Sequence, residues 1–152
     1  MPEPVFRRIL VATDFSAQSE NAWGLARRLA GAVGAEVVLL HVFVPPPPPV
    51  EAPLPPDYAE EVYEGSRKWV EQQLEAWAAA ARAEGLTATT FFRTGVAHRD
   101  IVDTAREVQA DLIAIGTHGR GGVERLLLGS VADRVIRLAD CPVLAIRQPD
   151  PD

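Results

Sequence analysis

The sequence predicts a single α/β domain built on a doubly wound, open parallel sheet. Short apolar runs rich in β-branched residues alternate along the chain with longer segments of helical period. The apolar runs are continuous rather than alternating, as in strands covered on both faces. No change of composition divides the 152 residues, a length usual for one domain with its own core. The expected domain covers residues 1–147, with residues 148–152 as a polar, flexible tail.

Residues 7–13, Arg-Arg-Ile-Leu-Val-Ala-Thr, read as a first buried strand that ends in the turn Asp14-Phe15-Ser16. Ser16 suits a helix cap, and Glu20 near the helix start suits its dipole. Ala22, Leu25, Ala26, Leu29 and Val33 follow at helical spacing until Gly34 stops the helix. Residues 36–42 make a second strand. A β-α-β unit of this kind implies parallel pairing with a right-handed crossover.

Prolines 45–49, 53, 55 and 56 then make a stiff excursion over about residues 44–56. Most connections between strand and helix are far shorter, about 2–6 residues. A spacer or lid and a docking element for a partner domain are both open for it. A long helix over about residues 57–84 carries Val62, Trp69, Val70, Leu74 and Trp77, and Gly85 ends it. Trp69 and Trp77, eight apart, share a helical face and are expected to pack. Strands are expected at 87–93, 111–116 and 142–147, and helices at about 98–109 and 130–139. The pattern is β-α-β-α-β-α-β-α-β, with helices on both faces of a Rossmann-like sheet of five strands.

Composition limits the function. The net charge is −6, unlike the basic surface of a nucleic-acid binder, so no nucleic-acid partner is expected. Residues 1–8 hold no apolar signal core, and no run approaches the roughly 20 apolar residues of a membrane span. With a single cysteine, Cys141, no intrachain disulfide forms. A cytoplasmic protein without a membrane partner is expected. Cys141 is expected to be a small buried residue, and the three histidines show no zinc-ligand spacing.

The segment that carries chemistry is Gly116-Thr117-His118-Gly119-Arg120-Gly121-Gly122, followed by Leu128-Gly129-Ser130-Val131. A buried strand delivers the chain to the carboxyl edge of the sheet, where open α/β sheets bind ligands. Glycines let the backbone approach an anion closely. Gly129-Ser130 opens a helix whose free N–H groups and dipole favour phosphate, and Arg120 and Arg125 can add charge. The same letters also allow a plain Ser130-x-x-Asp133 capping box. The segment is neither a Gly-x4-Gly-Lys-Ser/Thr loop nor a Gly-x-Gly-x-x-Gly turn after the first strand.

The ordered motif Gly116-x2-Gly119-x9-Gly129-Ser130 resembles the nucleotide-binding signature of the universal stress protein family, in its ATP-binding branch. Residues 9–16, Leu40-His41-Val42, Leu127 to Ala132 and Cys141-Pro142-Val143-Leu144 extend the resemblance over nearly the whole chain. Two departures are Ala12, where ATP-binding members often carry proline, and His98, in a turn where proline is frequent. The proline run is also longer than the pattern suggests.

This resemblance implies a sheet order of 3-2-1-4-5, which makes strands 1 and 4 neighbours at the switch point. It implies that Ala12, Thr13, Asp14, Val42, Gly116, Thr117, Gly119, Arg120, Gly129, Ser130 and Val131 bind an adenine nucleotide. Asp14 would hold the ribose or a metal-bound phosphate, and the Val42 backbone would pair with the adenine edge. Gly119, Gly129, Ser130 and Val131 would cradle the phosphates of ATP, with Mg2+ or Mn2+ as its ion. Thr13 and Thr117 would line the pocket. A homodimer through the last strand, Val143–Ile146, is also implied.

The expected function is an ATP-binding stress-response protein that acts as a sensor or switch. A slow ATPase and a nucleotide-independent interaction module with an unknown protein partner stand as alternatives. No general base with a positioned partner is legible, which efficient hydrolysis usually needs, so no catalytic residue is assigned. His41 is expected to be structural, His98 to start a helix, and His118 to sit in the binding loop.

Overall fold

The computed structural model describes residues 3–47, 53–118 and 128–147. Its strands are β1 (Arg8–Ala12), β2 (Glu36–Phe43), β3 (Ala88–Thr94), β4 (Leu112–Gly116) and β5 (Val143–Ile146). Its helices are α1 (Ala17–Val33), α2 (Tyr58–Ala83), α3 (Ala97–Glu107) and α4 (Ser130–Leu138). All strand pairs are parallel, in the order β3-β2-β1-β4-β5, as the resemblance implies.

The alternation of side chains along β1 divides the core into two layers. Ile9 and Val11 face the layer under α1 and α2, with Val37, Leu39, Val70 and Leu74. Leu10 and Ala12 face the layer under α3 and α4, with Leu40, Ile101, Ile113 and Val135. Both faces of the central strands are thus sealed, which is why their sequences read as unbroken apolar runs. Burial of each such Leu, Ile or Val contributes about 1.5–3 kcal/mol.

Of the apolar stripe expected on α1, Ala22 and Ala26 are buried and Leu29 and Val33 pack against the core, while Leu25 departs from it. On α1 the buried residues are Ser19, Ala22, Trp23, Ala26 and Ala30, while Leu25 is exposed. Alanines four apart bring this helix close to the sheet, and Trp23 fills the adjoining space, stacked 5.8 Å from Trp77. Gly34 closes α1 in the left-handed conformation, at φ 75°, as a C-terminal glycine does. Trp69 and Trp77 do share a face, and both meet Phe15 edge-on at 5.3 and 5.2 Å, though Trp69 keeps an exposed side. On α4, Ile136 and Leu138 are exposed, and Ala132 and Val135 carry the burial. Cys141 is half-buried rather than fully enclosed. Burial, with the Asp111 and Asp140 carboxylates nearby, pushes its thiol up from the ordinary value and favours the inert protonated form.

Candidate functional site

The carboxyl ends of β1 and β4, neighbours with connections leaving to opposite sides, form the two lips of a crevice. The β1 lip is tied by side chains. Beyond Ala12, the Thr13 N–H still donates to the Leu40 carbonyl at 2.9 Å. The chain then turns sharply. Thr13 Oγ1 accepts from the Phe15 N–H (2.9 Å) and donates to Ser19 Oγ (3.0 Å). Asp14 Oδ1 accepts from the Ser16 N–H at 2.9 Å, an Asx turn. Phe15 pays for the corner with a left-handed φ of 62°, uncommon for an aromatic residue. Ser16 Oγ accepts from the Ser19 N–H at 3.2 Å, so it caps α1 as expected.

The β4 lip is shaped by the lack of side chains. A Cβ on Gly116 would stand 3.3 Å from the Gln18 carbonyl group of α1. The Thr117 N–H donates to the Ile146 carbonyl at 3.0 Å, and the Thr117 carbonyl accepts from the Gly129 N–H at 2.7 Å. A Cβ on Gly129 would stand only 2.7 Å from that same carbonyl oxygen. Gly129 has φ −61° and ψ 151°, a conformation open to any residue, so what demands glycine is the close approach.

Gly129 is also the N-cap of α4, and it offers no side chain to the first-turn N–H groups. The capping box that Ser130 and Asp133 also allowed therefore does not form. Ser130 is the first helical residue, and the Asp133 carboxylate pairs with Arg137 Nε at 3.1 Å. Among the described residues no side chain caps the first-turn amides of α4, and with the helix dipole behind them they suit an anion.

Between the lips lies a cavity of about 380 Å3, within the range of small-molecule sites. It gathers Ala12, Thr13, Asp14, Val42, Gly116, Thr117, Gly129, Ser130 and Val131, nine of the eleven residues expected there. Gly119 and Arg120 lie outside the described residues. Ser19, Ala97 and Ile101 also line the cavity and were not legible beforehand. Leu40, Val42, Ile101 and Ile115 give it an apolar wall, while Asp14, Thr13, Thr117 and Ser130 supply polar groups. His118 also reaches the cavity, with its Nδ1 3.0 Å from Thr117 Oγ1. His98 lies in the first turn of α3, as expected.

Strand alternation sets the direction of the Val42 peptide. The Leu40 carbonyl points toward β1, where it receives the Thr13 N–H, and the Phe43 carbonyl points toward β3, where it receives the Gly95 N–H. Val42, two residues from Leu40, therefore turns its N–H and C=O to the β1 side, just past the end of β1. Among the described residues no backbone hydrogen bond joins Val42 to the Thr13 carbonyl. Among them, too, no three His, Cys, Asp or Glu side chains gather as metal ligands. No helix there is long and apolar enough to cross a membrane.

These features define a class: a doubly wound α/β domain with a polar-ended crevice at its topological switch point and a glycine-capped helix aimed into it. The model of the Universal stress protein family matches residues 6–147, and the chain belongs to that family. Universal stress protein MJ0531 of Methanocaldococcus jannaschii is 36% identical over 152 residues, covering 97% of this chain and 85% of that protein. The structure of MJ0577 from the same organism superposes with a TM-score of 0.81 at 24% identity, covering 95% and 98% of the two chains, which supports the fold. A universal stress protein from Archaeoglobus fulgidus, solved in complex with dAMP, aligns at 28% identity with a TM-score of 0.63, covering 93% of this chain and 98% of that one.

Proposed function

We propose that the chain is an ATP-binding stress-response protein of the cytoplasm, in which the nucleotide acts as a switch ligand. The observation that carries this is the Gly129 cradle, with its 2.7 Å approach to the Thr117 carbonyl, opposite Asp14 and beside the open Val42 peptide. Phosphates suit the α4 amides and the Ser130 hydroxyl. Adenine suits the apolar wall and the outward N–H and C=O of Val42. The ribose hydroxyls suit Asp14, and an accompanying Mg2+ or Mn2+ would draw most of its ligands from phosphate and water. A relative in complex with dAMP supports an adenine nucleotide as the ligand class. Gly119 and Arg120 join the proposal on the sequence motif alone.

Bound nucleotide would favour whichever arrangement of loops or subunits binds it best. β5 is an edge strand whose Val143, Leu144 and Ala145 stay partly exposed, so a homodimer through this strand belongs to the same proposal. Calorimetric titration of ATP with Mg2+ into nucleotide-free protein tests the binding: saturable 1:1 heat is expected, and a flat titration with folded protein overturns it.

A further inference from the structure

His41 lies near the carboxyl end of β2 on the α1–α2 face of the sheet, outside the lining of the cavity. Its Nδ1 stands 2.8 Å from the Thr13 carbonyl oxygen. A carbonyl only accepts, so Nδ1 carries the proton. The ring is also stacked between Phe15, at 5.4 Å, and Phe92, at 6.2 Å. One imidazole thus holds both ends of the turn that presents Asp14: the carbonyl before it by a hydrogen bond, and the left-handed Phe15 after it by ring contact.

The bond has a second consequence. Continued parallel pairing would send the Val42 N–H to the Thr13 carbonyl, as the Thr13 N–H goes to Leu40. The imidazole occupies that carbonyl instead. The ladder stops one step early, and the Val42 peptide is left facing the crevice.

We infer that His41 is a positioning residue for the nucleotide site: by taking the Thr13 carbonyl it both sets the Asp14 turn and frees the Val42 backbone edge for a ligand. The nucleotide part of this inference rests on the proposed function; the geometric part does not.

Two substitutions separate the hydrogen bond from the packing. His41→Phe keeps a ring between Phe15 and Phe92 but removes the donor. His41→Asn keeps a donor, since its Nδ2 can stand where Nδ1 stands, and loses the ring. ATP with Mg2+ is titrated into wild type and both variants, and the Ser16 amide, which reports the bond to Asp14, is followed by NMR. Expected is a loss of affinity on the order of tenfold in His41→Phe, with His41→Asn within about threefold of wild type. The Ser16 amide resonance should move in His41→Phe and stay near its wild-type position in His41→Asn. Equal affinities in wild type and His41→Phe, or equal losses in both variants, overturn the inference. If wild type itself fails to bind ATP, the proposed function falls, and the Ser16 resonance decides alone: unmoved in His41→Phe, it overturns the positioning role.

Discussion

The two lips of the crevice are built by opposite means. On the β1 side, Thr13, Asp14, Ser16, Ser19 and His41 hold one sharp corner through side-chain hydrogen bonds. On the β4 side, Gly129 lets its backbone approach the Thr117 carbonyl at a distance that a Cβ would forbid, and Gly116 lets α1 come close enough that a Cβ would be tight. One lip is held by what its side chains add, the other by what they leave out. The β1 lip should therefore yield gradually to substitution, because several bonds share the work. The β4 lip should fail abruptly, because a 2.7 Å approach has no room to give.

The largest expected effect is accordingly at Gly129. In Gly129→Val the new side chain meets the Thr117 carbonyl, and ATP affinity should fall at least about a hundredfold in calorimetry. Loss of all helical circular dichroism would instead mean that the variant is unfolded, and Gly129→Ala then carries the comparison. An affinity unchanged in either folded variant would break the contrast between the lips.

Asp14→Ala comes next. It removes the Asx turn and the carboxylate proposed for the ribose, and affinity should drop about ten- to a hundredfold, the range for a hydrogen bond to a charged group. The α4 amides proposed for the phosphates remain, so a longer phosphate chain should recover part of the loss when ATP is compared with AMP.

Ser16→Ala removes the cap of α1 without touching the proposed ligand. Stability should fall by about 1 kcal/mol and the melting temperature by about 2–4 °C in a calorimetric scan. ATP affinity should stay within about twofold. A tenfold loss there would mean that the β1 lip is as brittle as the other.

The smallest effect lies away from both lips. Arg106 holds the exposed Asp140 carboxyl below the ordinary carboxylate value, first through their hydrogen bond and then through charge. A carboxyl depressed in the folded state stabilises it above its unfolded value, roughly pH 4, and loses that contribution as pH falls through the lower folded value. Solvent screening keeps the contribution small. Asp140→Asn should therefore lower the melting temperature by about a degree or less at pH 7 in low salt, and by progressively less as the pH falls below about 4.

The contrast between the lips also explains what the sequence could disclose. A required absence of a side chain leaves a letter at a fixed place, so Gly116, Gly129 and the helix after them were legible. So was the sheet, because strands sealed on both faces are unbroken apolar runs. The network on the β1 lip was less so. Ser19 reads as an ordinary helical serine, and only the fold brings its hydroxyl to Thr13. Ala97 and Ile101 look like helix surface and core until α3 is set over the carboxyl ends of β1 and β2.

On α1 the expected stripe holds at Ala22, Ala26, Leu29 and Val33 and fails at Leu25 for a similar reason. Leu25 fits an apolar stripe, but the close approach of Ala22, Ala26 and Ala30 rotates the helix so that Trp23 is buried instead. The Ser130–Asp133 box was a local pattern overruled by a tertiary one. The cap position must approach the Thr117 carbonyl too closely for any residue but glycine, so the helix begins one residue earlier in role than the serine suggests.

Backbone amide NMR during titration with ATP and Mg2+ tests most directly whether the two lips hold one ligand. The amides of Thr13 and Asp14, of Val42, and of Ser130 and Val131 should all shift along one binding curve, while those at the start of β3 stay in place. Shifts confined to one lip, or found only outside the crevice, would contradict the shared site.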